Sequence, residues 1–315
     1  MVSQQDAPAV SVIVNCRDGA RYLREALDSV FAQTFSDWEV VFWDNLSTDG
    51  SAEIARSYGN RVRYFKGGPL RLYAARNRAI AESRGRYIAF LDTDDMWRPA
   101  KLELQVPLLD AAPEVGLAYS NAEFFDDAGR CRIRYGTEQS QGDIFRRILA
   151  RYDLLLPSVM IRRSAYDACS GFDESMEVAG DADLFLRICH RWKASYVHAV
   201  TARYREHPAS ITSGHPEFHI AEADAILRRF RELESDFDIK YGPEIMAFVL
   251  QRRKAFIFGT WRRGDAVSAR RQAWAYFRAA PAMMALVLAS FLPFALVHAL
   301  RHRNPFSRVD WQRAR

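Results

Sequence analysis

Asp92, Asp94 and Asp95 place three carboxylates within four positions, directly after the apolar run Tyr-Ile-Ala-Phe-Leu at 87–91. A short run of aromatic and branched residues is the pattern of a buried strand. In open α/β sheets, ligands sit beyond the carboxyl ends of the strands. Asp92 and Asp94 are two positions apart, so an irregular strand end can aim both at one point. Two hard oxygen donors placed there suit Mg²⁺ or Mn²⁺ shared with phosphate oxygens. The same residues could instead form a turn or cap the following helix, and a lone Asp-x-Asp does not separate these readings.

A strand end of this kind needs a sheet, and the preceding sequence supplies one. Val10-Ser-Val-Ile-Val14 predicts a first buried strand, followed by the turn Asn15-Cys-Arg-Asp-Gly19. Leu23, Ala26, Leu27, Val30 and Phe31 recur at helical spacing. Glu39-Val-Val-Phe-Trp43 predicts a second strand and Asp44-Asn-Leu-Ser-Thr-Asp-Gly50 a polar turn, with a helix from about Ser51. Val62-Arg-Tyr-Phe65 predicts a third strand, residues 73–83 a helix and residues 87–91 a further strand. Strands alternating with helices give a parallel, doubly wound sheet. The polar clusters at 15–18, 44–49 and 92–95 all follow strands, so they gather along one sheet edge, where a nucleotide would lie.

Further motifs accompany these elements: Tyr22-Leu-x-Glu-Ala-Leu-x-Ser-Val, Gln33-Thr-Phe, Ala75-Arg-Asn77 and Phe90-Leu-Asp-Thr-Asp-Asp95. The second half adds Ser170-Gly-Phe-Asp-Glu174, Gly180-Asp-Ala-Asp-Leu-Phe-Leu-Arg-Ile188 and Tyr204-Arg-Glu-His-Pro-x-Ser-Ile-Thr212. In type and order these resemble the family 2 glycosyltransferases over residues 10–212. The resemblance implies an α/β protein of GT-A (Rossmann-like) fold, a mostly parallel sheet flanked by helices. It implies that Asn15, Asp18, Asp44, Asn45, Arg76 and Asp92 hold the nucleotide of a nucleotide-diphosphate sugar. It implies that Asp92, Asp94 and His207 hold Mg²⁺ or Mn²⁺, that Arg205 neutralises the leaving diphosphate, and that Asp181 is the catalytic base. The chain departs from the family at Asn45, more often Asp there, at Leu46, more often Gly, and at Gly180, where a Glu precedes the base. Asp183 is the better candidate for capping the helix that follows. The related processive synthases carry Gln-x-x-Arg-Trp after the base. Here Arg191-Trp192 comes too early and Ile188 stands at the Gln position, which implies addition of one sugar or few.

The implied reaction is inverting transfer to an acceptor hydroxyl, with a lipid-linked glycan as the expected acceptor. Two other classes compete. A catalytically silent sugar-nucleotide-binding or scaffold subunit is kept open by Gly180. A sugar nucleotidyltransferase would need a Gly-rich, basic phosphate loop after the first strand, and Asn15-Cys-Arg-Asp-Gly19 is not one.

The expected organisation is a loose N-terminus at 1–9, a catalytic domain at 10–216 and a helical appendage at 217–315. Residues 1–250 hold 31 basic and 37 acidic side chains, whereas residues 251–315 hold 13 and 2, a net +11. A basic tail seeks phosphates of lipid headgroups or nucleic acid. Because the motifs of 10–212 already account for nucleotide binding, no nucleic-acid partner is expected. Residues 279–300 carry no Asp, Glu, Lys or Arg, and their 22 residues would make a helix about 33 Å long. A span would put the arginines at 301–315 outside, against the positive-inside rule, and Pro293 would interrupt it. A buried core helix is a second reading. A helix or broken hairpin lying in the membrane interface, its arginines on anionic headgroups, fits best. Cys16, Cys131, Cys169 and Cys189 have no metal-ligand or Cys-x-x-Cys spacing. Dispersed thiols and the lack of a signal-peptide pattern place the expected enzyme in the cytoplasm, attached to the inner face of the membrane.

Overall fold

The computed structural model describes residues 7–207, 215 and 217–276. The chain divides into two compact units, Met1–His207 and Pro208–Arg315.

The first unit is built on one nine-stranded sheet. Its elements in order are β1 (Val10–Cys16), α1 (Ala20–Phe31), β2 (Trp38–Asp44), α2 (Ser51–Arg56), β3 (Val62–Lys66), α3 (Leu72–Glu82) and β4 (Tyr87–Phe90). There follow β5 (Met96–Trp97), α4 (Lys101–Ala111), β6 (Val115–Phe125), β7 (Cys131–Ile133), α5 (Phe145–Ala150), β8 (Met160–Arg162), α6 (Arg163–Ala168), α7 (Gly180–Arg191) and β9 (Lys193–Arg205). The strand order is β3-β2-β1-β4-β8-β6-β9-β5, with β7 on β6. β1 to β4 pair in parallel, as the alternation of strand and helix predicts. Beyond them the sheet is mixed, since β8 runs antiparallel to both β4 and β6 while β6 and β9 are parallel. Residues 1–6 lie outside the described residues, but Ala9 is buried and its N–H donates to Asp37 Oδ2 at 3.1 Å.

β1 reads as a continuous apolar run because both of its faces are covered. Val10, Val12 and Val14 pack with Leu23, Leu27 and Val30 of α1 in one core cluster. Side chains alternate along a strand, so Ser11, Ile13 and Asn15 occupy the other face. Ser11, the polar side chain at the start of that face, is satisfied by its neighbours. Ser11 Oγ donates to Glu39 Oε1 at 2.8 Å, and Glu39 also accepts from the Arg84 N–H at 2.7 Å and from Arg63 at 2.8 Å.

In the second unit, α8 (Phe218–Leu233), α9 (Phe237–Arg262) and α10 (Ala266–Tyr276) follow one another. α9 breaks helical geometry at Tyr241, two residues before Pro243, whose ring excludes a regular helix there. Among the described residues no helix is long and apolar enough to cross a membrane. Residues 279–300 and the arginines beyond them lie outside the described residues.

Glu39 is a carboxylate in the sheet interior, so its loss tests how far the fold leans on this polar cluster. Burial opposes its charge, but the Arg84 N–H, Ser11 and Arg63 outweigh burial and hold its carboxyl below the usual glutamate range. The depressed folded value means that its contribution is present above the ordinary glutamate pKa and is lost as pH falls through the folded value. Glu39→Gln should lower unfolding stability at neutral pH by about 3 kcal/mol. In urea melts the gap from wild type should hold down to about pH 5 and close below it.

Candidate active site

The carboxyl ends of β1, β2 and β4 meet through their loops. Gly19 lies so close to the Asp92–Asp94 turn that a Cβ on it would sit 2.8 Å from Thr93 Oγ1. The loop after β1 is therefore docked on the residue between the two aspartates.

Asp92 and Asp94 emerge past the end of β4, each with about a third of its side chain exposed, 36% and 31%. Asp92 Oδ1 accepts from Arg76 of α3 at 2.6 Å. Arg76 itself is buried, with its guanidinium 5.3 Å from the Tyr73 ring centroid. Burial works against that charge, but Asp92 more than compensates and raises the guanidinium above its ordinary value. The sequence placed Arg76 on the base or phosphates; here it reaches the site through Asp92. Asp94 Oδ2 lies 2.8 Å from His207 Nε2. Burial and the neighbouring Asp92 charge push the Asp94 carboxyl up, against the pull of His207. Asp95 turns inward, accepting the Arg205 N–H at 2.9 Å, and burial raises its carboxyl well above the carboxylate range.

Arg205, expected against the diphosphate, is 5% exposed. Its Nε donates to the Asp94 carbonyl at 3.0 Å, and its two terminal nitrogens to Asp127 and Glu25 at 2.8 Å each. The rings of Tyr22 and Phe125 lie 4.2 and 4.4 Å from its guanidinium carbon. In this geometry Arg205 anchors the aspartate turn to α1 and to the β6–β7 hairpin. Asp127 and Glu25 carry no local signal of this role, because they lie 78 and 180 positions from Arg205.

The four residues expected at the nucleotide base divide into two kinds. Asp44 accepts from the Ser47 N–H at 2.7 Å and the Tyr64 hydroxyl at 2.5 Å. Asn45 exchanges two hydrogen bonds with the Leu70 backbone, 2.7 and 3.0 Å. Asp18 adopts a positive φ and accepts from the Thr48 N–H at 2.7 Å. These three tie the loops to one another. Asn15 differs: both atoms of its amide are shielded from solvent and have no hydrogen-bond partner among the described residues. Asn15 stands opposite Trp43, whose indole N–H is likewise buried without a partner. Donor and acceptor side by side on one amide match the paired N–H and C=O of a nucleotide base edge.

Asp181 and Asp183 both lie in the first turn of α7. Asp183 does not cap the helix. It is fully buried and forms an ion pair with Arg187, one turn on, whose Nε donates at 3.0 Å. Asp181 is partly exposed and accepts from the Tyr152 hydroxyl at 3.2 Å. A Cβ on Gly180, just before it, would lie 2.7 Å from the Tyr73 ring, and Arg76 lies 5.3 Å from the centroid of that ring, so the start of α7 lies beside the Arg76–Asp92 pair. Asn77 of the Ala-Arg-Asn motif secures the segment leading to α7, accepting the Tyr166 hydroxyl and the Phe172 N–H at 2.7 and 3.0 Å.

Residues 11–167 match the family model described as Glycosyl transferase family 2. The chain belongs to this family. An uncharacterized glycosyltransferase of Rickettsia typhi is 29% identical over 217 residues, 66% of this chain and 67% of its own length. The crystal structure of S. aureus TarS with UDP-GlcNAc superposes with a TM-score of 0.55 at 17% identity, covering 93% of this chain and 91% of that one. The mannosyltransferase PcManGT from Pyrobaculum calidifontis, bound to GDP-Man and Mn²⁺, gives 0.55 at 19% identity over 95% and 85%. These likenesses show the GT-A fold. The turn after β4 offers a donor set suited to a hard cation: two partly exposed carboxylates, Asp92 and Asp94. Among the described residues no three His, Cys, Asp or Glu form a closed metal cage.

Proposed function

We propose that this glycosyltransferase moves a sugar from a nucleotide-diphosphate sugar to an acceptor hydroxyl with inversion at the anomeric carbon. The acceptor is a lipid-linked glycan in cell-surface polysaccharide or lipopolysaccharide assembly. The observation that carries the reading is the juxtaposition at the β4 end: two exposed carboxylates, Arg76 behind one, His207 on the other, and Asp181 on the adjoining helix start. Nucleotide sugars and Mn²⁺ bound to the structural neighbours support the donor class.

Asp92 and Asp94 would hold Mg²⁺ or Mn²⁺, with His207 bracing Asp94 from behind, and the ion when bound would supply Lewis-acid stabilisation of the leaving diphosphate. Arg76 orients Asp92. Asn15 reads the base edge, while Asp18, Asp44 and Asn45 keep the surrounding loops in place. Asp181 takes the proton of the acceptor hydroxyl as its oxygen attacks the anomeric carbon. The Tyr152 hydroxyl orients Asp181. Gly180 removes a neighbouring Glu without removing Asp181, so the feature that favours a silent subunit leaves the base in position.

Asp92→Asn and Asp94→Asn should each reduce metal-dependent release of nucleoside diphosphate by about 100-fold or more. The panel of donors should begin with UDP-GlcNAc and GDP-Man. Wild-type turnover in either variant, in metal-replete buffer, removes the metal site. Asp181→Asn should lose turnover by at least about 1000-fold while binding nucleotide sugar as wild type does in calorimetry. Lost donor binding with turnover intact at saturating donor makes Asp181 a binding residue instead.

The enzyme is also proposed to sit on the cytoplasmic face of an anionic membrane. Val267 and Trp274, seven positions apart on α10, are 60% and 55% exposed, with Arg271 on the same face. They precede the charge-free stretch 279–300 inside the net +11 tail. Each Lys or Arg near such a surface contributes about 1 kcal/mol. Full-length enzyme should sediment with vesicles containing anionic lipid and be released in part by high salt or carbonate. Protein that stays in the supernatant with those vesicles overturns this placement, and a C-terminal tag cut by protease outside sealed cells makes the segment a span.

A further inference from the structure

Gly180 opens α7, and its φ is not positive, so no unusual backbone torsion calls for glycine there. Space does. A Cβ built on Gly180 would lie 2.7 Å from Cγ, Cδ2 and Cε2 of Tyr73. Cγ is the root of the ring, and the ring cannot swing aside, because Tyr73 is 3% exposed and stacked on Phe172 with centroids 5.4 Å apart. Phe172 in turn meets Phe90, the last residue of β4, edge to face at 5.6 Å. One turn along α3 from Tyr73, Arg76 lies 5.3 Å from the same ring and holds Asp92 at 2.6 Å. A single ring therefore touches the helix start that carries Asp181 and the arginine that carries Asp92.

We propose that Tyr73 is a positioning residue, a rigid spacer that sets Asp181 at a fixed separation from the Arg76–Asp92 pair, with Gly180 as its seat. The proposal rests on Asp181 being the base. A side chain at position 180 would wedge helix and ring apart. A small side chain at position 73 would leave a void into which the helix start relaxes. Either change moves the base relative to the site that holds the donor, while the contacts to the nucleotide stay in place. Misplacement by about 1 Å can lower a rate by roughly 100-fold, so the loss falls on kcat. Gly180 and Tyr73 act on one contact, so their substitutions are coupled and not additive.

Four variants test this with the donor identified by the panel above, with UDP and GDP in Mn²⁺ as calorimetric probes and circular dichroism melts as the fold control. Gly180→Ala and Tyr73→Leu should each lower kcat by about 30- to 100-fold while nucleotide affinity stays within about threefold. Tyr73→Phe, which keeps the ring, should stay within about threefold of wild type. The double variant Gly180→Ala/Tyr73→Leu should regain at least about tenfold over Gly180→Ala alone, because the added methyl then has room. Wild-type kcat in Gly180→Ala, or a double variant as slow as the product of the two singles, overturns the spacer. If Tyr73→Leu does not fold, the kcat and affinity of Gly180→Ala decide alone. A fully active Asp181→Asn removes the base and this proposal together. An inactive Asp181→Asn beside a fully active Gly180→Ala removes the spacer and leaves the base standing.

Discussion

Asp92 and Asp94 set like charges on one short turn beside the buried Asp95 carboxyl, and much of this fold is arranged to hold the three together. Each draws on a different partner. Asp92 has Arg76 from α3, Asp94 has His207 just past β9, and Asp95 has the backbone N–H of Arg205 at the end of β9. Arg205 then fastens the Asp94 carbonyl to α1 and to the turn at Asp127. Coulomb energy between close like charges is several-fold larger in a protein edge than in water, so unneutralised aspartates would open this turn. With Asp92 and Asp94 still partly exposed, the residual negative charge is directed outward, where a cation and a diphosphate can meet it.

The loops around this turn are fixed before any nucleotide arrives. Asp44, Asn45 and Asp18 spend their side chains on neighbouring loop backbones or hydroxyls. A loop already ordered adds little entropy loss when a ligand docks, which favours affinity without adding a contact. Asn15 is the complement of that arrangement. A buried amide with no partner costs on the order of 1–3 kcal/mol, a cost that a ligand edge able to pair with it would remove. The site thus combines satisfied loops with an unpaired buried amide at Asn15.

What the sequence could and could not reveal follows the range of the interactions. β1 to β4 and their helices were legible because hydrophobic periodicity is local, and chain direction alone puts Asp92 and Asp94 at the strand end. The mixed half of the sheet was not. β8 is only three residues long, and its place between β4 and β6 is decided by register across the sheet. The nature of Asp44 and Asn45 was also hidden, since turn residues and ligand contacts share the same side chains. The anchoring contacts of Arg205 were hidden because its partners, Glu25 and Asp127, are distant in sequence. Asp183 looked like a cap because its ion pair with Arg187 requires knowing which face of α7 is buried.

That last distinction shows how one helix start sets two identical side chains in different surroundings. Asp183 lies on the buried face, where Arg187 neutralises it and binds the carbonyl of Gly171 at 2.8 Å, locking α7 to the preceding loop. Breaking such a buried pair is costly, so α7 cannot easily rotate. Asp181, two residues earlier, falls on the face toward Tyr152 and Arg76 and keeps contact with solvent. Glycine before it weakens a helix by up to about 1 kcal/mol in the interior and less at the first position, where hydrogen bonding is incomplete. That loss is small beside the aromatic packing its missing side chain permits, where a stacked pair alone contributes about 0.5–1.5 kcal/mol beyond area burial. Rigidity of the helix through Asp183 and its distance from α3 through Tyr73 are therefore separate constraints on the same carboxylate.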